Sequence, residues 1–343
     1  MKDYILPIAA FTIFLLIIPL AALALSENVQ YNPSKNASAI APAPTVQPAP
    51  VSAAAADGGF AVYHTRTKSV ETLSADDYIR GVVAAEMPAE YPIEALKAQA
   101  SAAFTYAAVQ RAYHRSHPAA AASIGGADVS DDPSHYQSYI SEDTARRRFG
   151  SDFNWQWAKI TQAVQAVHGL ALAQNGHLIN ALYFSCSAGK TESSRDIWGD
   201  DVPYLVEVSS SWDSAAPDYR STVRVSQAAF QKAAASDVSG AAFGPDPSGW
   251  IGIASRSGAG GVLTVRLGGK TVSGANIQSL FGLRSTHFDV QYANGTFTFT
   301  VLGDGHGVGL SQYGACALAK QGKNWQDIVK YYYTGITVTP FPW

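Results

Sequence analysis

Residues 76–106 read DDYIRGVVAAEMPAEYPIEALKAQASAAFTY, and this stretch decides how the chain is expected to fold. Apolar residues recur at helical spacing ahead of Glu86, and Ser74 precedes Asp77 by three residues, as in a weakened helix-capping box. Pro88 cannot continue a helix and biases the residue before it towards extended backbone. We therefore predict a helix that ends close to Glu86, followed at once by a turn of the chain.

The surroundings of Glu86 decide what its carboxyl group can do. The apolar run Val82–Ala85 precedes it, and a second, alanine-rich helix opened by Pro92 is predicted. That helix is expected to run from Ile93 to about His114. A carboxyl group on a mostly apolar face is disfavoured in its charged form, so it can hold a proton near neutral pH and act as a general acid. The alternative is a glutamate at a helix end that faces water, and this stretch alone leaves both open.

The composition is that of a globular chain. Its 343 residues are 47% hydrophobic and 15% charged, which is ample material for one large domain or two ordinary ones. A net charge of −3 argues against a nucleic-acid partner, since no basic stripe exists to neutralise phosphates. The basic cluster Arg146–Arg148 is predicted to be a solvated loop. Cys186 and Cys316 belong to no CxxC pair, so two free thiols are predicted, with a disulfide as the alternative.

Residues 1–25 are predicted to be a single transmembrane anchor. The run Ile5–Leu25 carries no charge, and at a rise of 1.5 Å per residue it reaches about 30 Å, enough for one bilayer crossing. A cleaved signal peptide is the alternative, because Ala22–Ala24 could serve as a signal-peptidase site. Lys2 favours a cytoplasmic N-terminus, which would place the rest of the chain outside.

The remainder divides into a linker and a folded region. Residues 26–58 are rich in proline and alanine and poor in large apolar groups, which predicts a semi-extended linker. Residues 59–343 alternate helical and strand patterns. The predicted strands Leu170–Ala173 and Leu178–Phe184 flank Asn175-Gly176, a strong two-residue hairpin signal. We predict one mixed α/β domain of the α+β class.

Three blocks of sequence resemble one known family. They are DYIRGVVAAEMPAEYPIEALKAQA at 77–100, SCSAGKTESSRDIWGDDVPYL at 185–205 and GDGHGVGLSQYGA at 303–315. With them, the chain from Phe60 onward is similar to the stage II sporulation protein D family and its amidase-enhancer relatives. The resemblance implies a membrane-anchored enzyme that cuts the glycan strands of peptidoglycan. It also implies that Glu86 is catalytic, because the family's glutamate stands in the same GVVAxEMP context.

Further residues of these blocks are predicted to bind the substrate. The resemblance and the side-chain chemistry select Lys97, Ser185, Ser187, Thr191, Glu192, Asp196, Trp198, His306, Gln312 and Tyr313. Hydroxyl and carboxylate groups suit sugar hydroxyls, Trp198 could stack on a sugar ring, and His306 could touch the substrate or orient Glu86. The alternatives are a solvated helix lysine, an ordinary serine-rich turn and a packed histidine.

Leu310 replaces a methionine of the family pattern, and two further positions also depart from that pattern. Phe104 stands where an arginine is common, and Asp304 stands where an aromatic residue or a histidine is common. Some relatives place zinc ligands near the loop 185–205. A closed zinc site needs four ligands, however, and this loop offers only Cys186. No metal and no cofactor are therefore predicted.

The reaction that the resemblance implies needs only one carboxyl group. Glu86 would act first as acid and then as base on the bond between N-acetylmuramic acid and N-acetylglucosamine, and the muramic acid C6 hydroxyl would close a 1,6-anhydro ring. A hydrolase is one alternative, with Glu90, Glu192 or Asp196 as the second carboxylate. Another is a protein that binds peptidoglycan without cutting it and stimulates a cell-wall amidase, and a third is a structural wall anchor.

The resemblance also implies a setting for this activity. The protein would be a single-pass membrane protein at the mother-cell membrane, facing the forespore, and would act outside the cytoplasm during engulfment in sporulation. A partner amidase would strip the stem peptides from the glycan strands. A polymeric substrate would need an open groove between two lobes instead of a closed pocket.

Overall fold

The computed structural model describes residues 59–342, in which helices and short strands alternate. The helices are α1 Ala75–Glu86, α2 Ile93–Ser116, α3 Pro118–Ala121, α4 Glu142–Phe149, α5 Phe153–Val167, α6 Ser194–Trp198, α7 Gln227–Asp237, α8 Gly274–Phe281, α9 Gln312–Lys320 and α10 Trp325–Tyr332. The strands are β1 Gly59–His64, β2 Ser69–Ser74, β3 Val129–Ser130, β4 Leu170–Gln174, β5 His177–Leu178, β6 Tyr183–Phe184, β7 Arg220–Ser226, β8 Ile251–Arg256, β9 Val262–Leu267, β10 Lys270–Ser273, β11 Phe288–Ala293, β12 Thr296–Leu302, β13 Leu310–Ser311 and β14 Thr337–Pro340. The mixed α/β architecture predicted from the sequence is confirmed.

The strands form several small sheets instead of one large sheet. Their strand orders are β2-β1-β3, β14-β4-β5, β13-β6, β11-β12-β7 and β10-β9-β8. Strand β13 pairs with β6 in parallel, with Leu310 opposite Tyr183 and Ser311 opposite Phe184. This short pairing brings a glycine-rich loop near the end of the chain onto a segment from its middle.

The two helices predicted around Glu86 are present. Ser74 caps α1 by accepting a hydrogen bond from the backbone N–H of Asp77. Met87 adopts extended backbone (φ −133°, ψ 134°), so α1 ends at Glu86 as predicted. The second helix, α2, follows Pro92 directly.

Two clusters of buried apolar side chains form separate cores. The first surrounds α2 and includes residues of α1, α5, α9 and α10. The second lies among strands β7–β12 and is rich in phenylalanine, with the rings of Phe230 and Phe281 stacked at 4.9 Å. Phe104 is buried in the first core against Phe60 and Phe341. The position at which the family resemblance implies an arginine is therefore an apolar packing position in this chain.

Two predictions of local structure are wrong. Arg146–Arg148 do not form a loop but lie in the last turn of α4, where basic side chains complement the helix dipole and Ser141 caps the other end. The strand predicted over Leu178–Phe184 is interrupted, because the N–H of Leu182 donates to the carbonyl of Asn180 (2.9 Å) in a tight turn. This turn separates β5 from β6, and β6 pairs with β13 instead.

Across residues 59–342, no helix is both long enough and apolar enough to cross a membrane. The longest of them, α2, has 24 residues. The transmembrane anchor predicted over residues 1–25 and the linker predicted over 26–58 lie outside the described residues, and both stay predictions.

Candidate active site

A cavity of about 200 Å³ lies at the end of α1. Its walls come from Glu86 and Gln312 and from the segments 135–138, 182–185 and 304–306. The pairing of β13 with β6 brings the last two segments together. The cavity thereby unites four residues that were singled out from the sequence: Glu86, Ser185, His306 and Gln312.

Gly81, in the middle of α1, lets one wall of the cavity approach the helix. A Cβ atom at this position would lie 2.3 Å from Cε2 of Tyr139 and 2.5 Å from the carbonyl oxygen of Ile140, so only glycine fits without displacement. The N–H of Ile140 donates to the carbonyl of Gly81 (3.3 Å). This close approach places Ser138, two residues earlier, beside the carboxyl group of Glu86.

The carboxyl group of Glu86 accepts a hydrogen bond on each oxygen. The backbone N–H of Ser138 donates to Oε1 (2.6 Å), and the side-chain amide of Gln312 donates to Oε2 (3.3 Å). Burial raises the pKa of Glu86 above its usual value, although the hydrogen bonds from Ser138 and Gln312 oppose the rise. A carboxyl group that is held in place and retains its proton to higher pH is suited to general-acid catalysis.

Gln137 fixes the segment that carries Ser138. Its Oε1 accepts a hydrogen bond from the hydroxyl of Tyr183 (2.7 Å). Its Nε2 donates to the hydroxyl of Tyr78 (3.2 Å) and to the carbonyl of Ala103 (3.3 Å). The wall of the cavity is therefore tied to β6, α1 and α2 at once, which limits its freedom to move.

His306 lines the cavity with both ring nitrogens engaged. Its Nδ1 accepts from the N–H of Val308 (3.1 Å), so the proton resides on Nε2, which donates to the carbonyl of Tyr183 (3.1 Å). Burial lowers the pKa of His306 to about 4, against the hydrogen bond to Tyr183. The ring packs against Phe184 and Trp198, both at 5.6 Å between ring centroids. His306 thus shapes the cavity as a neutral group, and Trp198 supports it without lining the cavity itself.

The hydroxyl groups of Ser187 and Thr191 stabilise their own loop. The Oγ of Ser187 accepts from the N–H of Gly189 (3.1 Å). The Oγ1 of Thr191 accepts from the N–H of Val208 (2.7 Å) and donates to the carbonyl of Val206 (3.2 Å). Both residues are buried, and neither lines the cavity.

Three further residues of the predicted set also lie outside the cavity wall. Lys97 forms an ion pair with Glu94 (Nζ to Oε1, 2.6 Å), one turn back along α2. Asp196 lies in the first turn of α6. Tyr313 is nearer, because its N–H donates to the carbonyl of Ser185 (3.0 Å) next to the cavity.

Glu192 is fully buried and is directed towards the second core. Its Oε1 accepts from the hydroxyl of Ser257 (2.9 Å) and the N–H of Gly261 (3.1 Å), and it lies 2.7 Å from Nε2 of His287. Its N–H donates to the carbonyl of Gly307 (2.8 Å), directly behind the loop that carries His306. Glu192 therefore joins the loop 185–205 to the sheets of the second core and has no surface left for a substrate.

Glu192→Gln is expected to lower the free energy of unfolding by about 1–3 kcal/mol, because the new amide would be buried beside His287 without a full set of partners. Urea unfolding measures this change. Glu207→Gln is the matched control, since Glu207 pairs with Lys190 at the partly exposed surface, where such a pair contributes about 1 kcal/mol or less. Equal losses in the two variants would contradict the structural role of Glu192.

Ser138 and Asp304 are among the residues of the cavity that were not predicted to act there. Ser138 contributes a backbone N–H, and no sequence pattern identifies which backbone group will face a distant carboxyl. Asp304 was noted only as a departure from the family pattern. It lines the cavity and forms an ion pair with Arg284 (Oδ2 to Nη2, 2.7 Å).

The two cysteines, Cys186 and Cys316, are buried free thiols. Burial raises the pKa of Cys186 to about 12 and also raises that of Cys316, so both thiols keep their protons at neutral pH. In the part of the chain that the structure describes, no three His, Cys, Asp or Glu side chains are grouped so that they could hold a metal ion.

Comparison with known proteins gives consistent matches. A family model described as Stage II sporulation protein matches residues 63–173, which include Glu86 and Ser138. The chain is 38% identical over 297 residues to stage II sporulation protein D of Bacillus amyloliquefaciens, covering 86% of this chain and 81% of that protein. The protein of the same name from Bacillus subtilis (strain 168) is 38% identical over 279 residues, covering 81% and 78%. An amidase enhancer of Bacillus subtilis (strain 168) is 26% identical over 311 residues, covering 77% of this chain and 40% of the enhancer.

Proposed function

Since the chain belongs to the stage II sporulation protein D family, we propose that it is a lytic transglycosylase that cleaves peptidoglycan glycan strands. The observation that carries this proposal is the partly buried carboxyl of Glu86, whose pKa is raised and which shares a cavity with Ser185, His306 and Gln312. The bond to be cleaved joins N-acetylmuramic acid to N-acetylglucosamine. The process served is sporulation, which the family name gives.

The proposed reaction uses Glu86 twice. Its protonated carboxyl donates a proton to the glycosidic oxygen as the bond from that oxygen to C1 of the muramic acid breaks, and the electron pair of the bond stays with the oxygen. The resulting carboxylate accepts the proton of the C6 hydroxyl, whose oxygen bonds to C1 and closes the 1,6-anhydro ring. Glu86 is protonated again at the end, and neither water nor a protein nucleophile enters.

The surroundings of Glu86 support this use of one carboxyl. The hydrogen bonds from Ser138 and Gln312 orient both of its oxygens. The cavity of about 200 Å³ is smaller than the roughly 300–1,000 Å³ of sites for drug-sized ligands. It suits a single sugar ring, and the rest of a strand would lie on the surface outside.

The carboxylates first considered for a hydrolase do not support that alternative. Glu90 is exposed and accepts a hydrogen bond from Gln156 (3.0 Å). Glu192 is buried against His287, and Asp196 lies in α6. None of the three lines the cavity, so none can activate a water molecule beside Glu86.

Glycan cleavage is expected to decline as the pH rises through the raised pKa of Glu86, because the general acid must carry its proton. On the acid side, activity should fall near pH 4, because burial lowers the pKa of His306 to about 4 and a protonated Nδ1 cannot accept from Val308. The stability that neutral His306 provides is present above its usual pKa of 6.5 and is lost as the pH falls through about 4. Plotting log kcat/KM against pH measures both limbs, and a profile without a decline on the alkaline side would contradict the assignment of Glu86 as the general acid.

A non-catalytic enhancer of a cell-wall amidase is the second candidate, because the chain is 26% identical to a protein named amidase enhancer. The two candidates predict different results when the purified protein is incubated with glycan strands, with and without an amidase. A transglycosylase produces new 1,6-anhydro ends by itself. An enhancer increases the release of stem peptides only when the amidase is present and makes no anhydro ends.

The proposal includes a location and a partner. The uncharged run Ile5–Leu25 and the proline-rich stretch 26–58 support a membrane anchor with a spacer. We place the cavity outside the cytoplasm, where an amidase would supply glycan strands stripped of stem peptides. Recovery of the protein in the soluble fraction, or its resistance to protease added outside the mother-cell membrane, would contradict this location.

A further inference from the structure

Asp304 is a second carboxylate in the wall of the cavity that Glu86 lines. Its charged partner, Arg284, does not line the cavity, and three of the polar side chains that do line it are neutral: His306 keeps both ring nitrogens in hydrogen bonds to the backbone, Gln312 is an amide and Ser185 is a hydroxyl. When Glu86 carries its proton, Asp304 is therefore the carboxylate that remains to face a bound sugar.

The backbone holds Asp304 in one place. Its N–H donates to the carbonyl of Cys186 (2.8 Å), and the N–H of Cys186 donates back to the carbonyl of Asp304 (3.2 Å). The flanking residues Gly303 and Gly305 have positive φ values of 74° and 104°. A Cβ on Gly305 would lie 2.8 Å from Cβ of Phe184. The turn is thus packed tightly onto β6, which forms part of the same cavity.

Arg284 holds one oxygen of the Asp304 carboxylate. Its Nη2 lies 2.7 Å from Oδ2 of Asp304, and its Nη1 lies 3.1 Å from Oδ1 of Asp218. Its carbonyl accepts the N–H of Gly305 (2.9 Å). The other oxygen, Oδ1 of Asp304, accepts no hydrogen bond from residues 59–342, and the side chain is 28% exposed. One oxygen is fixed by the protein, and the second is open to a ligand.

We propose that Asp304 is a second catalytic carboxylate, which contacts the sugar in the cavity and stabilises the positive charge that develops at its C1 atom. This inference rests on the proposed function. Cleavage of a glycosidic bond passes through an oxocarbenium-like transition state. A fixed carboxylate in a partly desolvated site stabilises such charge without having to reorganise. Asp304 forms no bond and takes no proton, since Glu86 makes both proton transfers.

Asp304→Asn tests this role against a matched control. Asparagine keeps the size of the side chain and an oxygen for Arg284, but removes the charge. We expect kcat for glycan cleavage to fall about 10²-fold with little change in KM, as for an interaction made only in the transition state. Asp218→Asn removes the charge of the other carboxylate that pairs with Arg284. The side chain of Asp218 is 69% exposed, and this variant should keep the wild-type kcat. Thermal unfolding of both variants shows whether they fold.

A binding measurement gives a second readout that does not depend on turnover. The wild-type protein and Asp304→Asn are titrated calorimetrically with a cationic iminosugar, which mimics the charged sugar, and with neutral N-acetylglucosamine. The wild-type protein should prefer the iminosugar. Asp304→Asn should bind the iminosugar about tenfold more weakly and the neutral sugar equally well.

Several results would overturn the assignment of Asp304. They are an unchanged kcat, a raised KM with unchanged kcat, and an equal loss of affinity for both sugars. Wild-type turnover in Glu86→Gln would instead overturn the proposed function. In that case, loss of the preference for the cationic sugar in Asp304→Asn would still support contact between Asp304 and the sugar.

Discussion

Glu86→Gln is expected to stop glycan cleavage while leaving the fold intact. The glutamine can still accept the N–H of Ser138, but it has no proton to give to a glycosidic oxygen. General acid–base catalysis contributes about 10²–10⁴-fold to the rate. Because this carboxyl is proposed to act in both halves of the reaction, we expect kcat to fall about 10⁴-fold. Mass spectrometry of the digested strands, with the 1,6-anhydro ends counted, measures the loss. Binding of the intact strands should be retained.

Glu90→Gln is the matched control for this experiment. It makes the same chemical change four residues further along, on an exposed side chain outside the cavity. We expect wild-type turnover from it. If Glu86→Gln also retained turnover within about tenfold of the wild type, the catalytic role would belong to another residue.

The unfolding free energy of Glu86→Gln, compared with that of the wild type at several pH values, should show that the carboxyl of Glu86 is shielded from water. The raised pKa means that folding favours the protonated form, so the associated stability is full below the usual pKa of 4.5 and is lost as the pH rises through the raised value. Glutamine does not titrate. The unfolding free energy of the wild type should therefore fall, relative to that of Glu86→Gln, as the pH rises. A pH-independent difference would show that the carboxyl is solvated.

Gly81→Ala is expected to damage both stability and activity. Alanine in a helix interior normally stabilises by about 0.5–1 kcal/mol relative to glycine. Here the new Cβ would lie 2.5 Å from a backbone carbonyl oxygen, that of Ile140, and overpacking of this kind costs about 1–3 kcal/mol. The cost of the clash therefore exceeds the gain in helix propensity, and the segment that carries Ser138 must move. A shift of about 1 Å at such a site can reduce turnover about 10²-fold.

Gly252→Ala provides the control for Gly81→Ala. Gly252 lies in β8, and a Cβ there meets no atom within 4 Å. We expect it to unfold at or above the wild-type temperature and to keep full activity. The pH profile distinguishes displacement of Ser138 from general damage. Loss of the Ser138 hydrogen bond should raise the pKa of Glu86 further and move the alkaline limb to higher pH. A profile that falls uniformly without moving would contradict the proposed path from Gly81 to Glu86.

The elements around Glu86 could be predicted because their causes are local. Ser74 accepts the N–H of Asp77 within one helical turn, and Pro88 acts on the residue immediately before it. The end of α1 at Glu86 follows from these two effects. The end of the strand after Asn175-Gly176 could not be predicted in this way, because the segment beyond the turn at Asn180 pairs with β13, more than a hundred residues later.

The content of the cavity depends on contacts that no local pattern encodes. Glu192 has the chemistry of a sugar-binding carboxylate, yet tertiary packing places it against His287 and away from the cavity. Ser138 reaches Glu86 through a backbone N–H, which every residue except proline possesses. Asp304 differs from the family pattern in the sequence, but its ion pair with Arg284 is visible only in the structure.

The hydrogen bond between Gln312 and Glu86 joins positions 226 residues apart. Closing so long a segment is entropically demanding and slow compared with forming α1 or the β1–β2 hairpin. During synthesis, the nascent chain therefore carries its acid long before it carries the opposite wall. Until residue 312 has been added, the carboxyl group of Glu86 lacks its hydrogen bond from Gln312, and proteolytic removal of the last few dozen residues is expected to remove that bond again.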